Sequence, residues 1–166
     1  MAVMPLQKPG RSEQVVCTPP EFLQALKSRL GISQFDIDVA ADESNHVAEV
    51  WYGPGSGFNS DGLQADWCIT IGWNWCNPPF GNIQPWVQKG FEEAVRGAKT
   101  AMLVPASTGA NWWAEYVNGI AHVLLLQGRL TFVGHTTPYP KDLALLLYSP
   151  IVWGGYEVWK WKETTR

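Results

Sequence analysis

The sequence predicts an α/β fold, a mixed sheet flanked by helices with antiparallel strands toward the C-terminus. Two observations carry this. Strand-like and helix-like segments alternate through the first two-thirds of the chain, and four strand-like runs then follow at short spacing from His122 onward. A third observation places a site on that sheet. An aromatic run ending at Cys76 halts at Asn77-Pro78-Pro79-Phe80, and in open α/β sheets ligands bind just beyond the carboxyl ends of strands.

Taken in order, residues 1–16 read as a flexible N-terminal arm with Pro5, Pro9 and Gly10, and 17–166 as a single domain. Thr18-Pro19-Pro20 opens a helix over Glu21–Leu30, whose Phe22, Leu23, Leu26 and Leu30 make one apolar face and which Gly31 closes. Phe35–Ala40 alternates apolar and acidic residues as a strand does, with Asp36 and Asp38 on one face. A turn at 42–45 follows, then Val47–Tyr52, which suits either helix or short strand, then a glycine-rich loop over 53–57. Trp67–Cys76 reads as strand. Pro85–Ala98 is an amphipathic helix with Trp86, Val87, Phe91 and Val95 on its apolar side. Thr100–Val104 is a buried strand stopped by Pro105, and Asn111–Asn118 a helix ended by Gly119. His122–Leu126, Arg129–Val133, Leu143–Tyr148 and Tyr156–Trp161 are strands by composition.

Composition narrows the function. A net charge of −3 argues against general polyanion binding, so a nucleic-acid role needs a local basic patch. Lys8/Arg11, Lys89/Arg96/Lys99 and Lys160/Lys162/Arg166 are the candidates. Three cysteines, Cys17, Cys68 and Cys76, without CxxC or histidine pairing, argue against a disulfide framework or a zinc site and fit a reducing cytoplasm. No run is long enough to span a membrane. The ten tryptophans are expected mostly at the core or its rim.

The turn at 77–80 has a chemistry of its own. Two prolines fix φ and remove two backbone donors, which leaves the Asn77 side chain and the Pro78 carbonyl as acceptors in a rigid frame. Two acceptors suit the two N–H groups of a planar exocyclic amine, and Phe80 supplies a face on which its ring can stack. Held this way the amine nitrogen becomes more tetrahedral, with its lone pair available to an electrophile. The competing reading is a plain proline turn with a core phenylalanine beside it.

In this order, Thr18-Pro19-Pro20-Glu21-Phe22, Phe35-Asp36-Ile37-Asp38-Val39-Ala40-Ala41, Asp61-Gly62-Leu63 with Trp67, Asn77-Pro78-Pro79-Phe80, Leu103-Val104-Pro105-Ala106 and Gly128-Arg129-Leu130 with Phe132 resemble the phage-encoded DNA N6-adenine methyltransferase (Dam-like) family. The resemblance covers about Thr18 to Phe132. It implies a Rossmann-like methyltransferase sheet, S-adenosyl-L-methionine as cofactor, and double-stranded DNA as partner with the target adenine flipped out. It also implies a bacterial host cytoplasm and, given little room for a recognition domain, relaxed specificity aided by a homodimer. Asn77, Pro78 and Phe80 are then the catalytic residues, with Pro79 and Phe80 against the base. Asp38, then Asp36, with Ala40 and Thr18, are expected at the methionine end of the cofactor. Asp61, sixteen positions before Asn77, is expected at its adenine amine, and Glu49 is the candidate for its ribose.

The chain departs from the wider enzyme class in two places. Ala40-Ala41 stands where a glycine-rich loop is usual, and Phe80 stands where many relatives have tyrosine. The residues alone leave other readings open. Asp36 and Asp38 also suit a cap or surface position, Asp61-Gly62 makes a turn by itself, and Thr18 makes a helix cap. A guanine in RNA or a glutamine amide in protein offers a similar amine, and a non-catalytic nucleic-acid-binding module keeps the same aromatic surface. No metal is expected, and His46, His122 and His135 read as structural.

Overall fold

The structure, a computed structural model, describes residues 16–151 and 153–162. The expected arm therefore lies outside the described residues apart from Val16, as do Lys8, Arg11 and Arg166. Ten elements follow in order: α1 (Pro20–Leu30), β1 (Ile37–Asp38), β2 (Val50–Trp51), β3 (Trp73–Cys76), α2 (Gln84–Arg96), β4 (Lys99–Pro105), α3 (Asn111–Tyr116), β5 (His122–Leu126), β6 (Leu143–Tyr148) and β7 (Tyr156–Trp159). All seven strands form one sheet in the order β2-β1-β3-β4-β6-β5-β7. β6 alone runs antiparallel to its neighbours, between β4 and β5. This is a mixed, Rossmann-like methyltransferase sheet, antiparallel in part toward the C-terminus.

The sheet separates two apolar layers, and side-chain alternation along the strands divides the residues between them. Met102 and Val104 of β4 and Ala144 and Leu146 of β6 face the layer with Trp86, Val87 and Trp113 from α2 and α3. Ala101, Leu103 and Leu145 face the other, with Phe22 and Leu26 of α1. Proline at the first turn and Gly31, at φ 68°, bound α1 as the sequence predicts.

Four expectations are corrected. The buried side of α2 is Trp86, Val87, Gly90 and Ala94, while Val95 is exposed. Gly90 belongs to that side because a Cβ there would press on the Tyr148 ring. Of Trp67–Cys76 only Trp73–Cys76 is strand. Residues 67–72 are held irregularly, with the Trp67 N–H on the Glu93 carboxylate, and Ile69 and Ile71 are exposed. Of Phe35–Ala40 only Ile37–Asp38 is regular strand, although the Asp36 and Val39 N–H groups still bond to the β3 carbonyls on either side. Arg129–Val133 is no strand at all. Leu130 and Phe132 are both buried, but the backbone bonds to the N-terminal segment and to its own loop, Val133 N–H to Cys17 and Tyr139 N–H to the Leu130 carbonyl.

Candidate active site

From β1 the chain runs outward to β2 and then returns past β1 to β3, so the strand order switches between β1 and β3. That switch point is where open α/β sheets leave a crevice. The Val39 N–H on the Trp75 carbonyl, 3.0 Å, carries the β1–β3 pairing past its last registered pair, Asp38 with Trp75. Ala40 and Asn77 each lie two residues beyond that pair, at the carboxyl ends of neighbouring strands.

The Asn77 side chain is fixed in one orientation. Its amide nitrogen donates to the Val16 carbonyl at 3.0 Å and to Thr18 Oγ1 at 3.2 Å. Both N–H groups are consumed, and Oδ1 remains as an acceptor. Thr18 is buried and caps no helix, since Pro19 takes the N-cap position and no side chain caps α1. Its hydroxyl instead orients Asn77. Pro78 is buried, and its carbonyl accepts no hydrogen bond among the described residues, whereas that of Pro79 accepts from Asn82 at 3.2 Å. Phe80 is half-buried, with its ring edge-on to Tyr139 at 5.5 Å and to Phe132 at 6.4 Å.

One hollow is lined by Phe80 of this turn, and another lies at the carboxyl end of the neighbouring strand β1. The second, of about 190 Å3, is lined by Ala40, Tyr52, Gly53, Asp61, Gly62 and Trp86. The first, of about 340 Å3, is lined by Phe80, Gln84, Ser107, Trp112, Tyr139 and Lys141 among others. Two glycines in the wall of the smaller lie hard against the backbone that follows β1. A Cβ on Gly62 would overlap the Val39 carbonyl oxygen, and one on Gly53 the Ala41 carbonyl oxygen. Both glycines are therefore required for the chain to pack its backbone against residues 39–41 at the rim of this hollow.

The acidic residues separate into distinct roles. Asp38 is buried, and its two oxygens accept from the N–H groups of Ala40 at 3.3 Å and Val47 at 3.0 Å, which ties both ends of the 40–47 loop to β1. Burial pushes its carboxyl up to about 7, against the lowering effect of these two donors and of His46. Asp61 is exposed. Its Oδ1 accepts from the Leu63 N–H at 2.9 Å, forming a turn, while the residue also lines the smaller hollow. Asp36 stands elsewhere. It precedes β1, and its carboxylate accepts from the Gly72 N–H at 3.1 Å before β3 begins. Glu49 likewise precedes β2. Both sit at the amino ends of their strands, so the structure joins Thr18 to the 77–80 turn and puts Ala40 and Asp61 on one hollow, and leaves Asp36 and Glu49 apart from both. Among the described residues no cluster of three His, Cys, Asp or Glu side chains is placed to hold a metal ion, and no helix is long and apolar enough to cross a membrane.

A family model described as DNA N-6-adenine-methyltransferase (Dam) matches residues 8–144, most of the chain. The chain belongs to this family. A Dam-family relative named DNA N-6-adenine-methyltransferase, from Escherichia phage T1, is 29% identical over 119 residues, which cover 69% of this chain and 45% of that protein. Another of the same name, from Haemophilus phage HP1, is 26% identical over 124 residues, covering 70% of this chain and 68% of that protein. The chain therefore spans about half the length of the first relative. Within this Dam-family domain, Tyr139, Lys141, Trp112 and Gly53 were not singled out by sequence reasoning. Tyr139 carried one faint signal, its place between Pro138 and Pro140.

Proposed function

We propose that the protein transfers a methyl group from S-adenosyl-L-methionine to N6 of adenine in double-stranded DNA, with the target base flipped out of the helix. Family membership and the names of both relatives support the reaction class. The observation that carries the assignment is the orientation of Asn77. Val16 and Thr18 consume its N–H groups, so the side chain presents an oxygen beside the free Pro78 carbonyl. Two fixed acceptors match the two N–H groups of an exocyclic amine.

The smaller hollow is the site we assign to the cofactor. Ala40 lines it, Gly53 and Gly62 let its backbone walls pack close against residues 39–41, and Asp61 Oδ2 makes no hydrogen bond among the described residues and so stays available to an adenine amine. Asp38 acts at one remove, by holding the 40–47 loop. The bound cofactor supplies an electrophilic methyl group. Asn77 Oδ1 and the Pro78 carbonyl draw on the amine N–H groups and stabilise positive charge growing on nitrogen, the role of preorganised acceptors. Phe80 holds the ring face. After transfer the amine is acidic and releases its extra proton without a strong base. A base in a duplex cannot reach such a turn, so flipping, at a few kcal/mol, is part of the reaction. Residues 17–166 act here as one domain, in the bacterial cytoplasm where phage DNA is exposed to enzymes.

Incubation of methyl-labelled cofactor with unmethylated duplex DNA, and in parallel with RNA and with protein, followed by analysis of the labelled products, tests this reading. Label in N6-methyldeoxyadenosine is the expected result. Label confined to RNA or protein substrates, or cofactor binding with no methylated product, would overturn it.

A further inference from the structure

We propose that the excursion 127–142, between β5 and β6, grips the DNA strand beside the target nucleotide, with Lys141 on a backbone phosphate and Tyr139 as the second wall of the base cleft. The proposal rests on the DNA reading above. Because β6 runs antiparallel to β4 and β5, the excursion emerges at the same end of the sheet where β3 and β4 finish. Its feet are pinned to the walls of the site. The Val133 N–H donates to the Cys17 carbonyl, and the Ala106 N–H, just past β4, donates to the Asp142 carbonyl at 2.9 Å. Leu130 and Phe132 anchor it in the core. Between these anchors, residues 133–138 are exposed throughout and Pro138 and Pro140 stiffen the return.

The charge of this segment is opposite to that of the chain as a whole. Arg129 and Lys141 stand against one acid, Asp142, which lies 3.6 Å from Arg129 with both groups more than half exposed. Lys141 has no ion pair or ring contact among the described residues, whereas Arg29, Lys89 and Arg96 are each engaged by a carboxylate. A protein of net charge −3 needs such a local unpaired cation to meet a polyanion. Lys141 also lines the hollow that Phe80 and Tyr139 line, so a phosphate on it and a base held in that hollow, against the Phe80 face and beside the edge-on Tyr139 ring, would belong to one strand.

The test is equilibrium binding to a fluorescent adenine-containing duplex over a series of salt concentrations. Lys141→Gln should reduce the slope of log K against log salt by about 0.9, the effect of one lost phosphate contact. Lys99→Gln, at the opposite end of the sheet, should leave the slope unchanged. Tyr139→Leu should lower DNA turnover, and Tyr139→Phe should retain most of it, with cofactor affinity by calorimetry constant in both. A wild-type slope in Lys141→Gln, with melting temperature intact, overturns this inference and leaves the methyltransferase reading standing. Failure of the wild-type protein to bind or methylate DNA at all overturns that reading instead.

Discussion

Replacing Asp38 with asparagine should remove a pH dependence that the native fold carries across neutrality. In the folded chain the Asp38 carboxyl titrates at about 7, because burial outweighs the two N–H donors and His46. In the unfolded chain it titrates near the ordinary 3.8. Below pH 3.8 both states hold the proton and nothing is lost. As pH rises the unfolded chain ionises first, so stability falls until the folded carboxyl ionises in turn near 7. Each pH unit in that window costs about 1.36 kcal/mol, which sums to about 2–3 kcal/mol between pH 5 and pH 8. For a domain of this size that is about 5–10 °C in Tm. The substituted amide cannot ionise, but its NH2 faces one of the two backbone donors from Ala40 and Val47. The variant therefore starts lower, by about 1–3 kcal/mol for one unsatisfied N–H, and stays level. Asp66 and Glu157, both held below the usual carboxylate range, act in the opposite sense at more acid pH and cancel in the comparison. Denaturant unfolding of both proteins from pH 5 to pH 8 reads the difference. Parallel stability curves over that range would refute the argument.

Gly62→Ala should force the Val39 carbonyl or the 61–64 turn to move, because the new Cβ would overlap that oxygen. A destabilisation of about 1–3 kcal/mol and weaker cofactor binding by calorimetry are expected, and no change in either would deny the close approach. Phe80 separates stacking from packing. Phe80→Tyr and Phe80→Trp should keep DNA turnover and Phe80→Leu should lose it with little change in Tm, whereas a purely structural ring would make rate follow stability across the series.

The parts of the fold and site that were readable from sequence are those set by local chemistry. Two prolines fix the 77–80 turn whatever surrounds it, proline and Gly31 bound α1, and the apolar runs of β5 and β6 match the observed strands residue for residue. What was not readable depends on partners distant in sequence. Arg129–Val133 alternates like a strand, yet its backbone finds Cys17 and the Leu130–Tyr139 pairing in place of a ladder. Asp36 and Asp38 look equivalent by alternation, but β1 is only two residues long and places them at opposite ends. The departure at Ala40-Ala41 was visible in the sequence, but nothing local shows that Gly53 and Gly62 pack against the carbonyls of Ala41 and Val39. Tyr139 and Lys141 reach the cleft only because β6 reverses direction, a property of sheet order.

The central claim is that Asn77 Oδ1 accepts from the target amine in the transition state. Asn77→Ala leaves Pro78 and Pro79 to keep the turn, and removes that acceptor while sparing the hollow around Asp61. Single-turnover methylation of duplex DNA at saturating cofactor, alongside calorimetric cofactor titration, measures both quantities. The account predicts a rate at least about a hundredfold lower, the scale for one lost transition-state hydrogen bond, with cofactor affinity unchanged. A rate near that of the native protein would contradict it.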